Sequence, residues 1–277
     1  MSIQITTLSE NTASRMNLLA EWGLSILVEA DGYKILLDTG QSFSAAYNAI
    51  TSGIDLSRID KIVFSHGHID HTGGLLHILK LVKGSVEVIA HPDIRALKYV
   101  RRSERAEEYI GMPFPAEAAE ALGASFNLTR KPVWVSDNII TSGEIPMITE
   151  YETIDSILYV KEKDELKPDP LWDDQALFLK SEKGLIIILG CAHRGIINTI
   201  RHAQKVTGVE PVYAVIGGTH LITASPQRLD LTIAELSSLG VQRLGVSHCT
   251  GLPVSAVLAQ RFGGAFFFNN AGTRITL

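Results

Sequence analysis

The feature that most constrains this chain is the stretch Ser65-His66-Gly67-His68-Ile69-Asp70-His71-Thr72-Gly73-Gly74, which places three histidines and an aspartate within six positions, directly after the apolar run Ile62-Val63-Phe64. Imidazole nitrogens and carboxylate oxygens are donors that Zn²⁺ or Fe accepts, and side chains this close in sequence converge on one point from a loop, not from a straight strand. The pattern predicts a metal site on a loop that leaves a buried strand. The competing explanation is a polar turn carrying solvated histidines. Turn chemistry gives no reason for four candidate ligands in so short a span. Gly67 and the Gly73-Gly74 pair suit a backbone that bends sharply around an ion.

The rest of the composition sets outer bounds. With 277 residues, 45% hydrophobic and 20% charged, the chain can bury a large core in one domain or two. A net charge of −5, from 30 acidic against 25 basic residues, argues against general nucleic-acid or membrane-surface binding. No apolar run approaches the roughly 20 residues that span a bilayer. The start MSIQITTLSENT has no basic flank followed by a hydrophobic block, so a cytoplasmic location and a small-molecule substrate are expected, with the oligomeric state open. The two cysteines, Cys191 and Cys249, are too few for a disulfide framework, but each lies close to a histidine, in Cys191-Ala192-His193 and His248-Cys249.

Along the chain, a short strand near Ile3–Thr6 precedes a hairpin between Leu24 and Leu37, whose Ala30-Asp31-Gly32 turn is a strong hairpin signal. Its second strand ends in Asp38-Thr39-Gly40. A helix over 43–50, the strand Lys61–Phe64, a helix over 75–82 and the strand Val86–Ala90 follow, the last ending at His91. Residues from about 92 to 170 read as an irregular insertion or lid, with a helix-like basic stretch from Lys98 to Arg105. Regular order returns with strands Ala176–Lys180 and Leu185–Leu189, a helix 196–206 and the strand Val212–Ile216. A helix then starts at Ser225-Pro226, and the strand Arg243–Val246, a helix 254–262 and the strand Ala265–Phe268 complete the chain. Both halves share the order hairpin, helix, strand, helix, strand. This repeat of architecture predicts two similar sheets face to face with helices outside, in one domain spanning 1–277, and places Asp38, His66 and His91 opposite Cys191, His220 and His248.

Among the later candidates, His193 is the best further metal ligand, because it lies just past a buried strand and shares its turn with a thiol. His220 reads as a ligand, a proton donor or a partner behind a ligand, with a role near the reacting group favoured. Cys191 and Cys249 are either thiolate ligands or small buried residues at strand ends. Asp38 is expected to hold a ligand histidine in the right tautomer. Arg101, Arg102 and Arg105 either bind a substrate phosphate or carboxylate, or form a solvated face paired with Glu104, Glu107 and Glu108. His77 and His202 read as surface or packing residues, and His91 as rim contact or strand-end packing.

The sequence His66-x-His68-x-Asp70-His71 after a buried strand, with Asp38-Thr39-Gly40 before it, resembles the metallo-β-lactamase superfamily. The resemblance implies a mixed α/β, αββα fold. It also implies a first metal on His66 and His68 and a second on Asp70 and His71, with His248 as a closing ligand. One or two divalent ions are expected, zinc first, with Fe or Mn as alternatives. Two departures stand out. Asp173-Asp174-Gln175 occupies the place where many members carry a histidine, and Cys191 stands where a bridging aspartate is usual. The phrases DDQAL, ILGCAHRGIINT, AVIGGTHL and SHCTG together are similar to the branch described as 7,8-dihydropterin-6-yl-methyl-4-(β-D-ribofuranosyl)aminobenzene 5′-phosphate synthase-like, whose reaction joins a pterin-methyl diphosphate to an arylamine ribosyl phosphate. The expected activity is metal-dependent hydrolysis of a small anionic substrate, with Asp70 orienting the nucleophile and His220 protonating the leaving group. The alternatives are the branch's pterin transfer, with the lid arginines gripping phosphate, and a non-catalytic ligand-binding module.

Overall fold

The expected hairpin forms between strands Ser25–Ala30 and Tyr33–Leu37, and its turn residues Asp31 and Gly32 take the positive φ values, 55° and 81°, that a tight two-residue connection demands. The computed structural model describes residues 2–102 and 106–277. The chain divides into two compact units. An N-terminal unit comprises Ser2–Arg130, Ile154–Asp173 and Asn270–Leu277, and a C-terminal unit comprises Lys131–Thr153 and Asp174–Asn269.

In the N-terminal unit the described residues form a seven-stranded sheet in the order Arg274–Thr276, Gln4–Ser9, Ser25–Ala30, Tyr33–Leu37, Lys61–Val63, Val86–Ala90, Ala124–Leu128. From Tyr33–Leu37 onward the neighbours are parallel, so each connection crosses over. The crossovers carry the helices Ser44–Thr51, Leu75–Leu79 and Ala116–Glu120, whose Ala45, Ala49, Leu75, Ile78 and Ala119 pack into one core with Leu36, Ile62, Phe64 and Val88.

The C-terminal unit has its own seven-stranded sheet among the described residues, ordered Phe266–Phe268, Arg243–Ser247, Val212–Gly218, Gly184–Leu189, Ala176–Ser181, Ile139–Thr141, Trp134–Ser136. Its central strand Gly184–Leu189, antiparallel to Ala176–Ser181 and parallel to Val212–Gly218, is buried throughout, as its unbroken apolar run Leu185–Leu189 leads one to expect. The helix Pro226–Ser238 starts where the sequence indicates, with Ser225 Oγ accepting from Arg228 N at 3.2 Å and Pro226 in the first turn.

The repeat inferred from element order is present strand by strand. Gln4–Ser9 through Ala124–Leu128 shows two antiparallel pairings followed by three parallel ones. Ile139–Thr141 through Phe266–Phe268 shows the same succession. In each unit the chemistry-bearing residues follow the carboxyl ends of the parallel strands, where α/β sheets leave room for ligands. Among the described residues no helix is long and apolar enough to cross a membrane.

The region 92–170 departs from expectation. The described part of the basic stretch, residues 98–102, is no helix. Leu97–Val100 is a strand in a four-stranded sheet of the N-terminal unit, ordered Glu165–Pro168, Leu158–Glu162, Leu97–Val100, Glu108–Tyr109. Ala124–Leu128 joins the first large sheet, and Trp134–Ser136 and Ile139–Thr141 join the second. Arg105 and Glu104 lie outside the described residues. The helix-like reading treats Lys98 only as the start of a basic stretch. In the strand Leu97-Lys98-Tyr99-Val100 side chains alternate, leaving Leu97 48% exposed and burying Lys98 at 1%. The Lys98 ammonium is matched by Asp169 at 2.7 Å and Asp173 at 2.9 Å. Burial opposes its charge, yet Asp173 and Asp169 outweigh that and hold its pKa above the ordinary lysine value. Lys98→Met leaves two buried carboxylates without their cation and is expected to cost about 3–5 kcal/mol in urea unfolding. An unchanged unfolding midpoint would contradict this assignment.

Candidate metal centre

The histidine stretch is a loop that closes into one helical turn. Ser65 to His68 are non-helical, and Ile69–Thr72 is a short helix carrying Asp70 and His71. The loop is held against the Asp38-Thr39-Gly40 turn. The His71 carbonyl accepts from Thr39 N at 2.8 Å and from Thr39 Oγ1 at 2.9 Å. Glycines are required at this contact, since a Cβ on Gly73 would stand 2.1 Å from Gln41 O and one on Gly74 2.0 Å from Thr39 O.

The hydrogen-bond network fixes the tautomers of two histidines. Asp38, fully buried, accepts from Ser65 N at 2.8 Å, from Ser65 Oγ at 2.7 Å and from His71 Nδ1 at 2.7 Å. A carboxylate only accepts, so His71 carries its proton on Nδ1 and keeps a lone pair on Nε2. Ser65 Oγ spends its proton on Asp38 and therefore accepts from His66 Nδ1, 2.9 Å away. That leaves the lone pair of His66 on Nε2 as well. His66 Nε2 lies 3.0 Å from His68 Nδ1, close to the roughly 3.3 Å that separates two nitrogens on a tetrahedral zinc ion. His71 Nε2 lies 3.8 Å from Asp70 Oδ2. Burial, then the Lys98 ammonium, pushes the His68 pKa down to about 3, so its ring is neutral near pH 7 as a ligand must be. His66 and His71, each pre-oriented by a partner behind it, together with His68 and Asp70 fit a divalent ion such as zinc.

The C-terminal unit supplies a second donor set. Donor atoms of Cys191, His193 and His220 lie within 4.8 Å of one another, as do those of Cys191, His248 and Cys249. The rings of His193 and His220 are 4.1 Å apart. Cys191, His193, His248 and Cys249 are buried, and His220 is partly exposed. Burial opposes ionisation of Cys249, but a hydrogen bond with Cys191 and the nearby His220 and His248 outweigh it and hold the thiol well below its usual range. The two cysteines form no disulfide.

The backbone is unusual at the same places. Asp38, Ala192, His220 and His248 have φ of 59°, 53°, 47° and 52°, a left-handed conformation that costs non-glycine residues about 1–3 kcal/mol each. All four follow the carboxyl ends of parallel strands and turn the chain abruptly beside the candidate ligands.

A family model described as the metallo-beta-lactamase superfamily matches residues 23–196. The chain belongs to the metallo-β-lactamase superfamily. Its mixed α/β fold is that of the superfamily's solved members. It is 35% identical over 280 residues to the 7,8-dihydropterin-6-methyl-4-(beta-D-ribofuranosyl)-aminobenzene-5'-phosphate synthase of Methanocaldococcus jannaschii, covering 98% of this chain and 95% of that protein. An uncharacterized protein of the same organism, MJ0448, is 31% identical over 258 residues, covering 92% of this chain and 94% of that one. Among solved structures it is similar to Tm1679, described as a metal-dependent hydrolase of the β-lactamase superfamily, with a TM-score of 0.85 and 25% identity over 99% of both chains. A diphosphatase of the PhnP family shares the fold at a TM-score of 0.57 and 13% identity, covering 100% of this chain and 98% of that one.

For this superfamily member, the remaining sequence candidates separate clearly. Arg101 and Arg102 are exposed and paired with Glu107 at 2.6 Å and Glu108 at 3.5 Å. His91 accepts from Asp93 N at 3.0 Å and caps the short helix Pro92–Arg95. His77 is exposed, and His202 contacts the Ser142 carbonyl at 2.9 Å. Ser65, Asp173, Asp174 and the left-handed Ala192 were not singled out by sequence reasoning. Only the Asp173-Asp174 departure gave a signal.

Asp38→Asn places an amide NH₂ where His71 Nδ1–H or the Ser65 donors now meet an acceptor. Zinc affinity, read by chelator competition, is expected to fall about 10–100-fold. Wild-type affinity in this variant would contradict the tautomer assignment.

Proposed function

We propose that this chain is a metal-dependent hydrolase of a small anionic, phosphorylated substrate, with 1–277 working as one metallo-β-lactamase domain. His66, His68, Asp70, His71, His193 and His248 would hold one or two divalent ions, zinc foremost, with Cys191 as a further thiolate donor. The observation that carries the proposal is the pre-oriented donor set of the N-terminal unit, in which Asp38 and Ser65 aim the lone pairs of His71 and His66 at Nε2. When bound, a divalent ion supplies Lewis acidity, making water nucleophilic near neutral pH and polarising a phosphoryl or carbonyl oxygen.

The chain's own groups have separate tasks. Asp70 is less buried than the histidines around it, with its side chain 15% exposed, and so can accept a hydrogen bond from an incoming water and orient it. His220 is partly exposed and anchored through its backbone N–H to Cys249 Sγ at 3.2 Å, which suits a ring that delivers a proton to a leaving group. The similarity to Tm1679 supports the hydrolytic reading.

A second reading, pterin transfer with release of diphosphate, is favoured by the 35% identity to the Methanocaldococcus synthase along almost the whole chain. In that case Arg101 and Arg102 would have to leave Glu107 and Glu108 to grip phosphate. The two readings part in one assay of the metal-loaded protein with pterin-methyl diphosphate, with and without the arylamine ribosyl phosphate. Hydrolysis predicts release of phosphate or diphosphate that does not require the arylamine. Release only with the arylamine, together with condensed product, would overturn the hydrolytic reading in favour of transfer.

A further inference from the structure

The two aspartates that precede strand Ala176–Ser181 are buried, Asp173 at 1% exposure and Asp174 at 0%. Burying carboxylates is costly unless their oxygens are occupied by strong donors. For Asp173 both oxygens are occupied. Oδ1 accepts from Lys98 Nζ at 2.9 Å, and Oδ2 accepts from Gly67 N at 2.8 Å. Gly67 lies between His66 and His68, so this bond fixes the His66–Gly67 peptide in the turn that carries both rings. The packing leaves no slack, since a Cβ on Gly67 would meet Ile94 O at 2.8 Å, Lys98 Cε at 3.2 Å and Asp173 Oδ2 at 3.3 Å.

Asp174 does the corresponding thing in the C-terminal unit. Its Oδ2 accepts from Arg194 N at 2.8 Å, and Arg194 directly follows His193 in the turn that the left-handed Ala192 begins. Arg194 is itself buried at 4% and fastened by Nε to the Ile145 carbonyl at 2.5 Å. Bonds from a backbone N–H to an ionised carboxylate are roughly twice as strong as those to a neutral acceptor.

We propose that Asp173 and Asp174 are positioning residues and not metal ligands, each using a carboxylate oxygen to clamp the backbone N–H of one histidine-bearing turn. The proposal rests on the metal-dependent reading above and adds to it how the ligand turns are held.

The test is cobalt(II) binding to the full-length apoprotein. Affinity is read by chelator competition, ligand environment by the visible absorption of bound cobalt, and folding by thermal unfolding of the metal-free chain. Asp173→Ala and Asp174→Ala are each expected to weaken cobalt binding about 10–100-fold at unchanged stoichiometry. Asp174→Asn should restore wild-type affinity and spectrum, because the amide oxygen still accepts from Arg194 N. Asp173→Asn should not, because with its oxygen on Gly67 N its NH₂ group faces the Lys98 ammonium. This asymmetry carries the test even where an alanine variant fails to fold. An Asp174→Asn chain that binds as poorly as Asp174→Ala, with an altered cobalt spectrum, would overturn the proposal in favour of ligation. Wild-type binding in all four variants would overturn it in favour of no role, while leaving the metal-dependent function standing. A wild-type chain that binds no cobalt would overturn both.

Discussion

The Asp38 carboxylate is the contact on which the donor set of the N-terminal unit depends. It is removed from solvent completely and accepts three hydrogen bonds, two from Ser65 and one from His71. A carboxylate buried there without partners would cost several kcal/mol, a cost that those three donors offset. The same bonds order the site. They set the tautomer of His71 directly and that of His66 through the Ser65 hydroxyl, and they tie the end of strand Tyr33–Leu37 to the end of strand Lys61–Val63. Ligand orientation and strand-end packing are therefore one interaction seen from two sides.

The two units solve the same problem with different chemistry. Each has a sheet whose parallel strands end in abrupt turns, and in each the turns carry histidines. The N-terminal unit uses nitrogen and oxygen donors with acidic partners behind them. The C-terminal unit brings two thiols close to three histidines and lowers the pKa of one thiol by that proximity. Thiolate is a softer donor than carboxylate, so a site that used Cys191 would favour ions that accept sulfur. Left-handed Ala192, His220 and His248 show that the second unit sustains local strain at these ends, which its wholly buried strand Gly184–Leu189 and continuous core can support.

What the sequence revealed follows the range of the interactions. His66, His68, Asp70 and His71 were legible because the donors sit within one loop, and Asp38 because its Asp-Thr-Gly turn accompanies them. The order hairpin, helix, strand, helix, strand was legible because apolar runs and turn signals are local, whereas Ala124–Leu128 and Ile139–Thr141, which extend it to six strands in each unit, were read as part of an irregular lid. The buried role of Lys98 was not legible because its partners, Asp169 and Asp173, lie more than 70 residues away, at separations of 71 and 75. A single lysine in a mixed stretch gives no sign that it is buried. The clamp from Asp173 to Gly67, 106 residues apart, was hidden for the same reason, and a positive φ at Ala192 leaves no trace in residue type.

The central claim is that this chain holds divalent metal through the histidine loop, and elemental analysis tests it most directly. Inductively coupled plasma mass spectrometry on the purified, zinc-reconstituted chain should find one or two equivalents of metal, with a clear loss in a folded His66→Ala/His68→Ala variant. A wild-type chain without stoichiometric metal, or a double variant that retains the full complement, would contradict the account.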